Sequence, residues 1–255
     1  YNASLDGEGA ITSAIDYVVS EELPQVYVLE GHGEAELPPV FSEQVEKENL
    51  ELTTFSLLTV DEIPEEADCV LIYSPSSDIS LEEKEMLADY AENGGKLLVI
   101  AGPVADSSLE NLYSLLADYG VEAADGIVVE ADRSYYAFQS PLALLPDMAS
   151  SAVTDPLIEE NYYPILPVAQ GLIVPEDEGS GVTALLTTSD TAFSKVAGYE
   201  MTTYEKEEGD IDGPFALAVS ITCGSSGQII WFASNFLEDV YNAYSSGANV
   251  NLGMN

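Results

Sequence analysis

Residues 68–101 decide the fold. They read Asp68-Cys69-Val70-Leu71-Ile72-Tyr73, then Ser74-Pro75-Ser76-Ser77-Asp78, then Ser80-Leu81-Glu82-Glu83 and, after Asn93-Gly94-Gly95, Lys96-Leu97-Leu98-Val99-Ile100-Ala101. The first and last runs are continuously apolar, the pattern of strands buried on both faces. Between them, Ser80 and Glu83 have capping-box spacing, which satisfies the orphan N–H groups at a helix start. Leu87, Tyr90 and Ala91 supply the apolar stripe, and Gly94 a left-handed stop. Strand, capped helix and second strand make a right-handed βαβ unit with parallel strands.

The pattern extends outward from this unit. Upstream, Gln25–Leu29 reads as a buried strand, followed at once by Gly31-His32-Gly33-Glu34 and a helix with Val40, Phe41 and Val45 on one face. Another strand is expected at about Glu51–Leu57. Before them, Ile11, Ala14, Ile15, Val18 and Val19 have helical spacing over residues 8–22, and Pro24 ends that run. Downstream, Ser107-Ser108-Leu109-Glu110 reads as a second capping box, opening a helix with Leu109, Leu112, Leu116 and Tyr119 inward and Gly120 at its close. The expected class is α/β, a mostly parallel open sheet with helices on both faces. Residues 1–24 are expected to form an N-terminal helix leading in from a membrane anchor, and 25–255 a single domain. That domain is interrupted at about 132–212 by an irregular Pro/Tyr-rich insertion, where six prolines fall between Pro141 and Pro175. Leu172–Val174 and Val182–Leu186 are its expected strands, and Tyr135, Tyr136, Tyr162 and Tyr163 cluster there. Phe215–Thr222 and Gln228–Phe232 then read as an antiparallel pair around Gly224-Ser225-Ser226-Gly227. A last helix follows Ser234, with Phe236, Leu237, Val240, Tyr241 and Tyr244 inward.

Composition limits function. The 255 residues hold 46 Asp and Glu against 6 Lys and Arg, a formal net charge of −40, and 46% are hydrophobic. So much apolar content supports a large core and argues against disorder. Arg133 is the only arginine, and binding nucleic acid or anionic lipid needs clustered cations, so no nucleic-acid partner is expected. Cys69, inside an apolar run, reads as a buried thiol, with a Cys69–Cys223 bridge as the alternative; two cysteines make neither a disulfide framework nor a CxxC motif. No apolar run approaches the ~20 residues of a membrane helix. The chain opens on Tyr1 and closes on Asn255, which reads as a segment of a longer protein whose anchor lies outside it.

In open parallel sheets, ligands bind beyond the carboxyl ends of the strands, near the topological switch point. Four loops should gather there: Gly31–Glu34, Ser74–Asp78, Gly102–Asp106 and Ser234-Asn235. Candidate ligand-binding residues are Gly31, His32, Gly33, Glu34, Ser76, Asp78 and Asn235. His32 is the only histidine, between glycines that allow close backbone approach, in a loop that opens a helix whose N–H groups suit an anion. The competing role for His32 is a structural hydrogen bond in a tight turn. No nucleophile elbow is present, so a catalytic triad would require Ser76, His32 and an acidic neighbour to meet. Asp210-Ile211-Asp212-Gly213 has part of a calcium-loop pattern without its remaining ligands. No metal site or cofactor is expected.

One ordered set of motifs matches a known family: Glu8…Ile11-Thr12…Ala14-Ile15…Tyr17-Val18, Val26-Tyr27-Val28-Leu29…Gly31-His32-Gly33-Glu34, Ile63-Pro64…Ala67-Asp68, Ser74-Pro75…Asp78-Ile79-Ser80, Gly94-Gly95-Lys96-Leu97 and Ser246-Gly247-Ala248-Asn249. The chain resembles the extracytoplasmic domain of gliding-motility-type ABC-transporter auxiliary proteins, the GldG-like family. The resemblance implies a fold similar to flavodoxin and class I glutamine amidotransferases, held outside the membrane beside the permease and ATPase subunits of an ABC transporter. The amidotransferase nucleophile cysteine is missing after the relevant strand, so the fold is implied without the activity. The expected function is therefore a non-catalytic extracytoplasmic accessory domain that binds a partner or small ligand at the C-terminal edge of the sheet. Two alternatives are a hydrolase or amidase using His32 and a loop serine, and a glycan-binding module using the Tyr-rich region.

Overall fold

The computed structural model describes residues 23–175, 177 and 179–255. The helix expected over residues 8–22 lies outside them. Gln25–Leu29 (β1), Glu51–Phe55 (β2), Cys69–Tyr73 (β3) and Lys96–Ile100 (β4) pair in parallel in the order β2-β1-β3-β4. Three helices alternate with and follow them: Pro39–Lys47 (α1), Leu81–Glu92 (α2) and Glu110–Ala117 (α3).

The insertion contributes short pieces: Glu122–Ala123 (β5), Ile127–Val129 (β6), Ala143–Leu144 (β7), Asp147–Met148 (β8), helix Asp155–Glu160 (α4), Leu166–Pro167 (β9), Leu172–Ile173 (β10), Val182–Thr187 (β11), Phe193–Lys195 (β12) and Ile211–Asp212 (β13). The hairpin Ala216–Cys223 (β14) and Gly227–Phe232 (β15) then returns to the main sheet, and Asp239–Tyr244 (α5) and Ala248–Met254 (α6) end the chain. β15 lies parallel to β4 and antiparallel to β14. β10 and β11 extend the sheet antiparallel from β14, and they carry β5 and β8. Two small antiparallel sheets, β13-β12-β6 and β7-β9, complete the insertion.

Strand alternation divides the core into two layers. Val70, Ile72, Leu97, Val99, Ile229 and Trp231 point to one face, where Leu87 and Ala91 of α2 and Leu112 and Leu116 of α3 cover them. Burying each such side chain is worth about 1.5–3 kcal/mol. Leu71, Tyr73, Ile100 and Phe232 point to the other face, against Phe41 and Val45 of α1 and Val250 and Leu252 of α6. This is the expected architecture, and the predicted strands and the hairpin lie within a residue or two of their observed ends.

Several local expectations are corrected. α1 does not start at the Gly31–Glu34 loop: four residues intervene, and Pro38-Pro39 at its entry withdraws N–H groups that an anion would need. Val40 faces solvent rather than the core. Ser107–Glu110 is no capping box, because α3 begins at Glu110 and its N-cap, Leu109, has no side-chain oxygen. The final helix is two short ones, with Phe236 and Leu237 ahead of them and Val240 and Tyr244 exposed. Cys69 is half-buried rather than interior, and both thiols are free. The acidic Asp210 fragment closes on a cation of the chain itself. The wholly buried Lys195 donates from Nζ to the Glu205 carbonyl at 2.7 Å, to Glu207 Oε2 at 2.5 Å and to Asp210 Oδ2 at 3.1 Å. Among the described residues no group of His, Cys, Asp and Glu is arranged to hold a metal ion.

Candidate functional site

The switch point lies between β1 and β3, because the chain leaves β1 for β2 on one side and then returns to β3 on the other. Gly31–Glu34 follows β1 and Ser74–Asp78 follows β3, so both loops stand at this crevice. They are stitched together. The His32 carbonyl accepts from the Ser76 N–H at 3.1 Å, the Ser77 N–H at 2.9 Å and the Ser77 hydroxyl at 2.9 Å. The Ala35 N–H donates to the Ser74 carbonyl at 3.2 Å, and the Ser74 N–H to the Ile100 carbonyl at 2.7 Å. Gly33 is required for this approach: its φ is +69°, and a Cβ there would collide with the Ser76 hydroxyl.

The His32 ring is buried, only 7% exposed, and both of its nitrogens are occupied. Nδ1 lies 3.3 Å from Glu34 Oε1, and Nε2 lies 3.1 and 3.2 Å from the two Glu83 oxygens. Glu34 also accepts the His32 N–H at 2.8 Å. Glu83 belongs to the α2 capping box, accepting the Ser80 N–H at 2.8 Å while the Ser80 hydroxyl accepts the Glu83 N–H at 3.2 Å. Burial alone would raise the Glu83 carboxyl, but the bonds to Ser80 and the His32 imidazole outweigh it and hold the group below the usual carboxylate range. One imidazole thus ties the β1 loop to the start of α2.

Asp78 does a different job. Its Oδ2 accepts the Asn111 N–H at 2.7 Å and its Oδ1 the Leu112 N–H at 3.0 Å, so it caps α3 from 33 residues away. The Asn111 amide returns a bond to the Ile79 carbonyl at 2.7 Å, and the Ser107 hydroxyl donates to the Ser76 carbonyl at 2.7 Å. Asn235 sits further along the same edge, where its Oδ1 accepts the Gly102 N–H at 3.1 Å. The adjacent Ser234 hydroxyl donates to the Pro167 carbonyl at 2.5 Å and fastens the insertion to this edge.

Of the candidate residues, Gly31, His32, Gly33, Glu34, Ser76 and Asp78 come together, and Asn235 stands apart at the end of β15. Gly31, Gly33, Ser76 and Ser77 present an exposed ledge of small side chains. Chemically the arrangement positions and rigidifies. The ring partners of His32 are carboxylates rather than a serine hydroxyl, which leaves no activated nucleophile in a Ser76–His32 pair. In the Tyr-rich region, the Tyr135 hydroxyl donates to Asp147 at 2.9 Å, Arg133 lies over the Tyr136 ring, and only Tyr163 of the four is strongly exposed. Sequence reasoning missed Glu83 as the partner of His32, although its capping-box position marked it as fixed at the start of α2. It also missed a cleft of about 680 Å³ between α3 and Val196–Glu200, lined by Tyr113, Gln170 and Tyr199.

Fold and site together define an open-sheet α/β domain whose switch-point loops are locked around a buried, doubly paired histidine. The chain belongs to the ABC-transporter auxiliary family, described as an ABC-type uncharacterized transport system, whose profile matches residues 23–223. Its role is accordingly an accessory one in ABC-type transport. No curated protein matches the sequence. Among solved structures, the N-terminal domain of mmIFT52 shares the fold, with a TM-score of 0.61 at 16% identity over 89% of this chain and 93% of that one. A glutamine amidotransferase from Thermotoga maritima overlays with a TM-score of 0.44 at 9% identity, covering 86% of this chain and 78% of that one. A glutamine amidotransferase from Methylobacillus flagellatus gives 0.41 at 12% identity, covering 91% and 94%.

Proposed function

We propose that this chain is a non-catalytic domain held outside the membrane beside the permease and ATPase subunits of an ABC transporter, and that it meets a partner or small ligand at the C-terminal edge of its sheet. The observation that carries this reading is the saturation of His32. With both ring nitrogens on buried carboxylates and the carbonyl on Ser76 and Ser77, the edge is a stiff ledge suited to contact. Small residues at Gly31, Gly33 and Ser76 let another backbone come close. The outward location is supported by charge: a domain with 46 acidic and 6 basic residues stays soluble outside the membrane.

The test is co-purification of the full-length protein with its permease. Ser76→Arg places a long cation on the exposed ledge without removing a core contact. Loss of the complex with an unchanged melting temperature is expected, and an undiminished complex would sink the edge as the contact surface. Recovery of the full-length protein from the soluble cytosolic fraction would remove the membrane-tethered reading. Hydrolase substrates are expected to give no turnover above that of His32→Ala.

A further inference from the structure

The cleft of about 680 Å³ between α3 and Val196–Glu200 has a volume suited to a small molecule, and it shares no lining residue with the Gly31–Ser76 ledge. Its walls are tied together. The Tyr199 hydroxyl, from the insertion, donates at 2.8 Å to the Pro103 carbonyl in the loop that leads into α3. The Tyr199 side chain is fixed by this bond yet stays 52% exposed, which leaves ring surface open to an occupant. Tyr113 of α3 is anchored in the same way, its hydroxyl donating to the Ala101 carbonyl at 2.7 Å. Behind it lies the fully buried Trp231, with ring centroids 5.0 Å apart.

The lining selects by hydrogen bonding. Its serine hydroxyls are also spent: Ser107 donates to the Ser76 carbonyl, Ser108 to Glu110 Oε1 and Ser114 to the Asn111 carbonyl. Gln170 gives an N–H to the Ala124 carbonyl at 3.1 Å. The side-chain groups left over are mainly acceptors, namely Gln170 Oε1 and the carboxylates of Glu110, Glu122, Asp125 and Glu200. Among the described residues no Lys, Arg or His lines the cleft. We propose that it binds a small organic cation carrying primary ammonium groups. An ammonium supplies only donors, which the lining lacks, and gains attraction over a tyrosine ring. An anion would be repelled by the carboxylates, and a neutral polyol would leave their charge uncompensated.

Trp231 is the only tryptophan, and its contact with Tyr113 makes it the reporter. Spermidine is titrated into the full-length protein at pH 7 and about 0.15 M sodium chloride, where exposed charges are screened beyond ~8 Å. Binding is read by calorimetry and by Trp231 emission, and saturation at one site is expected. Tyr199→Ala should weaken binding about fivefold, while Tyr199→Phe, which keeps the ring, should stay within about twofold of the parent. Glu122→Gln should weaken it as well. Glu65→Gln, the same charge change at the opposite edge ahead of β3, should not. Should Tyr199→Ala lower the melting temperature, the decision passes to the comparison of Glu122→Gln with Glu65→Gln, both at exposed side chains. Absence of saturation in both readouts overturns the proposal. Equal losses in Glu122→Gln and Glu65→Gln overturn it too, since spermidine would then be answering the overall negative charge. Saturation by maltose in place of spermidine would make the occupant a neutral polyol and overturn the ammonium assignment.

Discussion

At His32 the ring faces Glu34 and Glu83, whose side chains are only 7% and 5% exposed. Removing the ring strands two carboxylates in a site that water barely reaches. Leaving a buried group without its hydrogen-bond partner costs about 1–3 kcal/mol, and more for a charged one. His32→Ala is therefore expected to lower the unfolding free energy by about 3 kcal/mol in urea denaturation. Glu83→Gln in the His32→Ala background should recover part of the loss, because it removes one of the stranded charges. A cost for His32→Ala below about 1 kcal/mol, the range of exposed pairs, would show that the cluster is solvated and not a clamp. The depressed Glu83 carboxyl sets the sign of the acid response. A group lowered on folding stabilises above its unfolded value of ~4.3 and loses that contribution as pH falls through its folded value. Acid destabilisation below about pH 4 should thus be weaker in Glu83→Gln than in the parent, read as the change in denaturation midpoint.

At the scale of elements, the α3 cap carries a prediction. Asp78→Ala leaves the Asn111 and Leu112 N–H groups without their acceptor, a loss of roughly 1–2 kcal/mol for a side-chain cap. Asp78→Asn keeps a side-chain oxygen and should lose less. Amide exchange at Asn111 and Leu112 should accelerate in Asp78→Ala, and unchanged protection there would refute the capping role. This cap also marks where legibility in the sequence ends. The α2 start is readable because Ser80 and Glu83 are three residues apart and bond each other. The α3 start is not, because its acceptor comes from another loop, so Ser107–Glu110 looks like the only cap available. The His32–Glu83 pair spans 51 residues and leaves no local signature. In the insertion, two-residue strands such as β7 and β9 are set by distant pairing and cannot develop a period. The core strands are legible because burial on both faces makes them apolar throughout.

For the whole molecule, two titration regimes bracket the stable range, and charge acts between them. Burial, reinforced by Glu238 and Asp239, pushes Tyr73 up to about 12, and burial does the same to Tyr90. An acid raised on folding is harmless below its unfolded value near 10, and stability is lost as pH climbs from there toward 12. Thermal melts should therefore fall steeply across that interval, with less change in Tyr90→Phe. Between the limbs, 46 carboxylates face 6 cations. Of those cations, Lys195 is already spent within its own loop, and the Lys84–Asp118 and Lys206–Asp212 pairs are exposed ones worth less than about 1 kcal/mol each. Compaction brings the remaining like charges within the screening length of ~10 Å at 0.1 M salt, which shrinks to ~3 Å at 1 M. Adding about 0.5 M sodium chloride at neutral pH should therefore raise the melting temperature, by about 2–4 °C for each kcal/mol of repulsion removed. A melting temperature that drops on adding salt would mean that paired carboxylates such as Glu83 and Asp210 outweigh the like-charged majority.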